Sequence, residues 1–212
     1  MKTIITAGCS LLLSACLCEA VLVTYSFNLS NGDETSFPAD VQPTGGTVSE
    51  MTRGSGLTPV SAGGSFNSSG WTLDGARDTS DYYTFTITPS ANYLMTLTRL
   101  ELDERRSGTG IRNWQIYSSM DNYVTALGTF SVLDDTSTRV DQGVNLVAFT
   151  GLSSPISFRI YGYNAEAAGG TWRIDNVELS GSLTAVPEAS TWVAGLGLSL
   201  GMLGTYLRKY RK

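Results

Sequence analysis

The chain has 212 residues, with 14 Lys and Arg against 19 Asp and Glu, and no histidine. The missing histidine excludes Ser–His–Asp triads, imidazole general bases and most zinc hydrolase sites. Residues 21–184 carry nine arginines, no lysine and 17 acids, a net charge of −8. A surface of that sign argues against a nucleic-acid partner, which needs a cationic footprint.

The first segment, residues 1–20, reads as a secretory signal peptide. Lys2 precedes an apolar stretch over 4–17, and Ala20 supplies a small residue at a cleavage point after Cys18-Glu19-Ala20. Within it, Leu13-Ser14-Ala15-Cys16 is similar to the lipobox of bacterial lipoproteins, so lipidation of Cys16 stands as the alternative to ordinary cleavage. All three cysteines, Cys9, Cys16 and Cys18, lie here. A chain cut after Ala20 therefore has no disulfide framework, no Cys nucleophile and no Cys metal site.

Residues 21–184 read as one all-β domain. Val23, Tyr25, Phe27 and Leu29 alternate with polar residues and predict an opening strand over 21–29. Clean alternation predicts strands over 83–87 and 94–102. Further strands are expected over 114–118, 127–133, 144–150, 156–163 and 172–179. Residues 30–70, rich in Gly, Ser, Thr and Pro, are expected to form a long loop region with one or two edge strands. No stretch shows a helical apolar face. Eight or nine short strands imply an antiparallel β-sandwich, of jelly-roll form.

Candidate chemistry is sparse. Arg105-Arg106-Ser107-Gly108-Thr109-Gly110 lacks the Gly-Lys-Ser/Thr ending of a phosphate loop and opens no helix, so it reads as a turn whose arginines pair with acids. The same Arg pair could also grip an anionic polysaccharide through bidentate bonds. Glu101 and Asp103 face one side of a strand, about 6.5–7 Å apart. This resembles the Glu-x-Asp catalytic strand of concanavalin-like β-glucanases. Arg105 and Arg106 stand where the second carboxylate would be needed, so no catalytic residue is assigned, and an unusual glycosidase is kept only as a last alternative. Trp71, Tyr82, Trp114, Tyr117, Tyr123, Tyr161, Tyr163 and Trp172 could stack on sugars if exposed, although most are expected in the core.

The segment 103–114 and the closing run Gly170-Thr171-Trp172-Arg173-Ile174-Asp175-Asn176-Val177-Glu178-Leu179 resemble parts of galactose-binding-like sandwiches. The closing run is similar to the last strand of many carbohydrate-binding modules. That resemblance implies Asp175 as a ligand to a structural Ca²⁺. The plain reading of the residue is a turn cap or a partner of Arg173.

The tail, residues 185–212, combines three elements. Val186-Pro187-Glu188-Ala189-Ser190-Thr191-Trp192 leads into 17 uncharged residues over 191–207, and Arg208, Lys209, Arg211 and Lys212 close the chain. A helix over 191–207 spans about 26 Å, enough to cross a bilayer core with snorkelling cations and the Trp192 and Tyr206 anchors. Gly197-x-x-x-Gly201 fits a helix-contact pattern. The order of signal, helix and basic cluster resembles the PEP-CTERM sorting tail of Gram-negative surface proteins. Ala189 stands where that motif has its second proline. The resemblance implies processing at Val186, Pro187, Glu188 and Ala189 by an exosortase-type membrane protease. It also implies an inner-membrane-anchored precursor and final delivery to the cell surface or an exopolysaccharide-rich extracellular matrix. An uncleaved membrane anchor is the alternative. The expected protein is thus a non-enzymatic exported matrix protein, with a carbohydrate-binding module or adhesin as the alternative.

Overall fold

The computed structural model describes residues 20–187. Residues 1–19, Glu188, Ala189 and the apolar run 191–207 lie outside the described residues. Among the described residues no helix is long and apolar enough to cross a membrane. In chain order the strands are β1 (Ala20–Tyr25), β2 (Ser36–Phe37), β3 (Gly46–Val48), β4 (Met51–Arg53), β5 (Thr58–Pro59), β6 (Phe66–Ser69) and β7 (Tyr82–Pro89). There follow β8 (Tyr93–Arg106), β9 (Asn113–Ser118), β10 (Gly128–Ser131), β11 (Arg139–Asn145), β12 (Ile156–Tyr163) and β13 (Trp172–Ala185).

These strands form two antiparallel sheets packed face to face. The first runs β11-β8-β13-β6-β5, with β1 also on β13; the second runs β10-β9-β12-β7-β4-β2, with β3 also on β7. From β6 onward the chain crosses repeatedly between the sheets, so neighbours in space are seldom neighbours in sequence. Each strand buries alternate side chains. In β7, Tyr83, Phe85 and Ile87 point inward while Tyr82, Thr84 and Thr86 point out.

The long strands change phase where they bulge. In β8 the buried set passes from Met95 and Leu97 to Leu100 and Leu102, opposite a register shift between Ser180 and Gly181 of β13. In β13 it passes from Trp172 and Ile174 to Val177 and Leu179, across Asn176 with its φ of 44°. The alternation over 94–102 is therefore two strand halves of opposite phase rather than one.

Aromatic rings tie the sheets together. Trp172 of β13 stacks on Tyr83 of β7 at 5.7 Å between centroids, and Trp71 meets both edge-on at 5.2 and 5.3 Å. The Tyr83 hydroxyl donates to the Trp172 carbonyl oxygen at 2.8 Å, a direct bond between sheets.

Three predicted elements differ in detail. The first strand stops at Tyr25, because Phe27 turns the chain at φ 50° and leaves Leu29 93 % exposed. The strand expected over 144–150 is instead β11 at 139–145, followed by a turn that buries Leu146 and Phe149 and leaves Val147 outside. Residues 30–70 hold five short strands, β2 to β6. Arg53 organises them. Its guanidinium lies 3.5 Å over the Phe66 ring and donates to the carbonyls of Gly32 and Asn67, to that of Glu34, and to the Ser68 hydroxyl. One half-buried cation thus replaces the apolar periodicity that would have announced the strands.

The inter-sheet bond gives the first prediction. Tyr83→Phe should cost about 1–2 kcal/mol in urea unfolding while leaving the fold intact. An unchanged midpoint would show that this bond does not hold the sheets together.

Candidate functional site

The outward face of β8 and β13 is the candidate site, and its register is set from the inside. Trp172 faces the core, and its indole Nε1 donates to the buried carboxylate of Glu104 on β8 at 2.7 Å. Arg139 of β11 donates to the other Glu104 oxygen at 3.2 Å. With Trp172, Ile174, Glu104 and Arg106 inward, the intervening residues must point out. Arg173 then lies opposite Arg105, and Asp175 opposite Asp103. Past the bulge, Glu178 lies opposite Glu101.

This arrangement is a grid of charges with about 4.8 Å between strands and about 6.5–7 Å between successive outward residues. A groove of about 170 Å³ lies over it, with Asp103, Asp175, Arg105 and Arg173 as floor and Gly64, Ser65 and Thr138 at the sides. A second hollow of about 380 Å³ adjoins it through Arg105 and Arg173 and reaches Asn67, Ser107 and Thr171.

The carboxylates differ in how they are held. Both Asp103 oxygens accept, one from the Asp141 backbone N–H at 2.9 Å and one from the Asn176 amide at 2.8 Å. Glu101 is paired with Arg99. Asp175 spends one oxygen on the Asn176 backbone N–H at 2.8 Å and has no side-chain partner among the described residues. Burial, and then the Asp103 charge, push the Asp175 carboxyl above the usual aspartate range. Burial followed by the charges of Glu101, Asp141 and Asp103 does the same to Glu178.

Asp175 therefore caps the β13 bulge and faces the groove, without an ion pair to Arg173 among the described residues. A structural Ca²⁺ needs six to eight oxygen ligands. Among the described residues no three His, Cys, Asp or Glu converge around Asp175 or elsewhere. Val186 and Pro187 follow β13 directly, and the Val186 N–H donates to the Asn92 carbonyl at 2.7 Å. Their motif partners Glu188 and Ala189 lie outside the described residues.

The expected Arg turn is corrected in part. Arg105 and Arg106 end a strand and point to opposite faces. Arg106 is inside, bonded to Asp134 at 2.8 Å and Glu166 at 2.7 Å; Arg105 is outside in the groove. The aromatic candidates mostly went to the core. Trp71, Trp114 and Trp172 are all buried. On the outer face of the second sheet, Tyr161 and Tyr117 are covered by Arg77, while Arg159 lies between the half-buried rings of Tyr82 and Tyr123.

Sequence reasoning missed Ser65, Asn67 and the pairing of Arg173 with Arg105. The first two lie in the region read as loop, and the pairing depends on a register set by Trp172 and Glu104.

No family model matches the chain, and no curated protein matches it. Among solved structures the chain is similar to a carbohydrate-binding module of family 29, at 16% identity and a TM-score of 0.40, covering 76% of this chain and 88% of that one. It is also similar to an adhesin domain of Lys-gingipain from Porphyromonas gingivalis, at 14% identity and a TM-score of 0.40, covering 76% and 97%. A Stig cyclase from Fischerella is similar at 12% identity and a TM-score of 0.28.

The crowded acids give a pH prediction. Because the folded Glu178 pKa is raised, its charged form destabilises the fold. Glu178→Gln should raise the midpoint of thermal unfolding at pH 7 by about 1–3 °C. The gain should shrink as pH falls through the raised folded pKa and vanish below about pH 4, where the wild-type side chain is neutral in both states. A gain independent of pH would refute the repulsion.

Proposed function

We propose that this chain is an exported, non-enzymatic surface protein whose sandwich binds carbohydrate in the groove over β8 and β13. The strand order β11-β8-β13-β6 against β10-β9-β12-β7 supports a jelly-roll, galactose-binding-like reading of the fold. The carrying observation is the outward grid of Asp103, Asp175, Arg105 and Arg173 at the base of an open groove. Sugars present adjacent hydroxyls that both donate and accept. Asp175 is an acceptor with a free oxygen, and the two guanidinium groups are donors only. A few convergent polar groups of this kind orient a ligand in a concave site. The carboxylates suit binding better than hydrolysis, since Glu101 is paired with Arg99 and both Asp103 oxygens are occupied.

Delivery rests on the ends of the chain. The signal-like segment 1–20 and the PEP-CTERM-like tail support export through the inner membrane. They also support processing by an exosortase-type protease and release to an exopolysaccharide-rich surface. β13 runs into Val186 and Pro187 without a linker, so the sandwich stands close to the sorting signal.

Two measurements test this reading. The full chain, purified in detergent, should bind at least one polysaccharide in a panel of neutral and acidic polymers by affinity electrophoresis. Asp175→Ala should weaken that binding about 10- to 100-fold, the loss of one charged hydrogen bond. Full affinity in the variant would move the site elsewhere, and no binding by the wild type would end the proposal for the groove. Mass mapping of native termini should give a chain that starts near Val21 and ends near Pro187 or Glu188. A chain still carrying Trp192 to Lys212 would refute processing, and a lipid on Cys16 would refute ordinary signal cleavage.

A further inference from the structure

Residues 21–184 contain nine arginines. Seven have a clear employment among the described residues. Arg99, Arg106, Arg112 and Arg139 are ion-paired, Arg53 binds backbone carbonyls, and Arg77 and Arg159 lie on tyrosine rings. The remaining two, Arg105 and Arg173, have no side-chain hydrogen bond or ion pair among the described residues. They are also direct cross-strand neighbours. Like charges placed opposite each other destabilise a sheet. Burial, followed by the charge of Arg105, lowers the Arg173 guanidinium below its ordinary pKa, although it stays charged at neutral pH.

A second observation lies beside them. Asn67 on β6 is opposite Arg173, so Asn67, Arg173 and Arg105 form one row across three strands. Asn67 is only 3 % exposed. Its amide N–H donates to the Val60 carbonyl at 3.2 Å, but its Oδ1 has no hydrogen-bond partner among the described residues. A buried acceptor left without a donor is destabilising, because it has given up its water and gained nothing in return. The row lines the hollow of about 380 Å³, where the hydroxyl-bearing residues Ser61, Ser107 and Thr171 also lie.

A pair of unpartnered donors that repel each other calls for an anion. An orphan acceptor in the same row calls for a hydroxyl or N–H. We propose that Arg105 and Arg173 together bind an anionic substituent, a carboxylate or sulfate ester, of an acidic polysaccharide, while Asn67 Oδ1 accepts from a hydroxyl of the same sugar unit. This deepens the carbohydrate reading and rests on it. The ligand's charge relieves the Arg–Arg repulsion, and its hydroxyl fills the vacant acceptor. The neighbouring Asp175, with one oxygen free, takes an uncharged hydroxyl of the adjoining unit. The acidic remainder of the domain opposes the approach of any polyanion, so binding of an acidic polymer depends on the local row rather than on bulk charge.

The test compares polymers that differ only in charge. The full chain in detergent is titrated with polygalacturonate and its methyl ester, and with dextran sulfate and dextran. At least one charged polymer should bind about tenfold or more tightly than its uncharged counterpart, and about 0.5 M NaCl should remove most of that difference. Which pair shows the preference tells carboxylate from sulfate. Arg105→Gln with Arg173→Gln should reduce the preference to about twofold or less, weakening the charged polymer far more than the uncharged one, which loses only the two donors to its hydroxyls. The double variant should not lower the unfolding midpoint, because it removes a repulsion; a marked drop would assign the pair a structural role and overturn the inference. Equal binding of charged and uncharged polymers by the wild type would overturn it too, and leave the carbohydrate reading standing. Binding to no polymer would overturn both.

Discussion

The bond from the Trp172 indole to the buried Glu104 carboxylate is the constraint on which the rest depends. It joins β13 to β8 on the inner face, diagonally across the strands. A strand has a side-chain period of two, so a slip of one residue would send Trp172 and Ile174 to solvent and bring Arg173 and Asp175 inside. Aromatic packing alone discriminates weakly between neighbouring registers, because several rings could fill a similar volume. A carboxylate that needs the indole N–H and the Arg139 guanidinium discriminates strongly, since a wrong register would strand it in the core. The inner bond therefore decides which charges meet outside.

The same buried end of the sandwich also holds the rim of the site. Arg106 lies inside and bonds to Asp134, to Glu166 and to the carbonyls of Gly108 and Gly110. Arg112 shares both acids, and Arg139 ties Glu104 to Asp135. Three loops are thus fastened to one buried guanidinium and its neighbours. An ion network of this kind adds little net stability over a well-packed apolar core. Its effect here is positional. It fixes loops that border the groove and its adjoining hollow without an apolar anchor in each, which suits polar, glycine-rich segments.

The legibility of the chain follows the same division. Strands with an apolar inner face and a polar outer face, such as 83–87, 114–118 and 156–163, could be read directly, because one periodicity carries both their existence and their orientation. The short strands of residues 30–70 could not. Their order comes from Arg53 and its carbonyl partners, and a single arginine in a polar stretch resembles any surface charge. Of the site, Asp175 was visible from its place in the closing strand. Arg105 was visible only as half of an Arg pair whose members turn out to face opposite ways. The phase changes at Thr98–Arg99 and Asp175–Asn176 were present in the residues as two adjacent polar positions. A bulge is needed to make sense of them, and it is the bulge at Asn176 that brings that side chain onto Asp103.

A sheet face that carries opposed arginines and then opposed aspartates runs against the usual rule of complementary cross-strand pairs. Exchanging one Arg and one Asp between β8 and β13 would remove both repulsions without changing composition, core or register. The arrangement therefore has no evident structural benefit, whereas most of the domain's other arginines are engaged with acids, carbonyls or rings. Local rules tend to be broken where a binding requirement competes with stability. Asp103 is at least compensated by the Asn176 amide and the Asp141 N–H. Arg105 and Arg173 have no side-chain hydrogen bond or ion pair among the described residues, and the orphan oxygen of Asn67 lies next to them in the same row. Three unmet demands on neighbouring strands, complementary to one charged and hydroxylated ligand, are more economically explained by that ligand than by three separate defects.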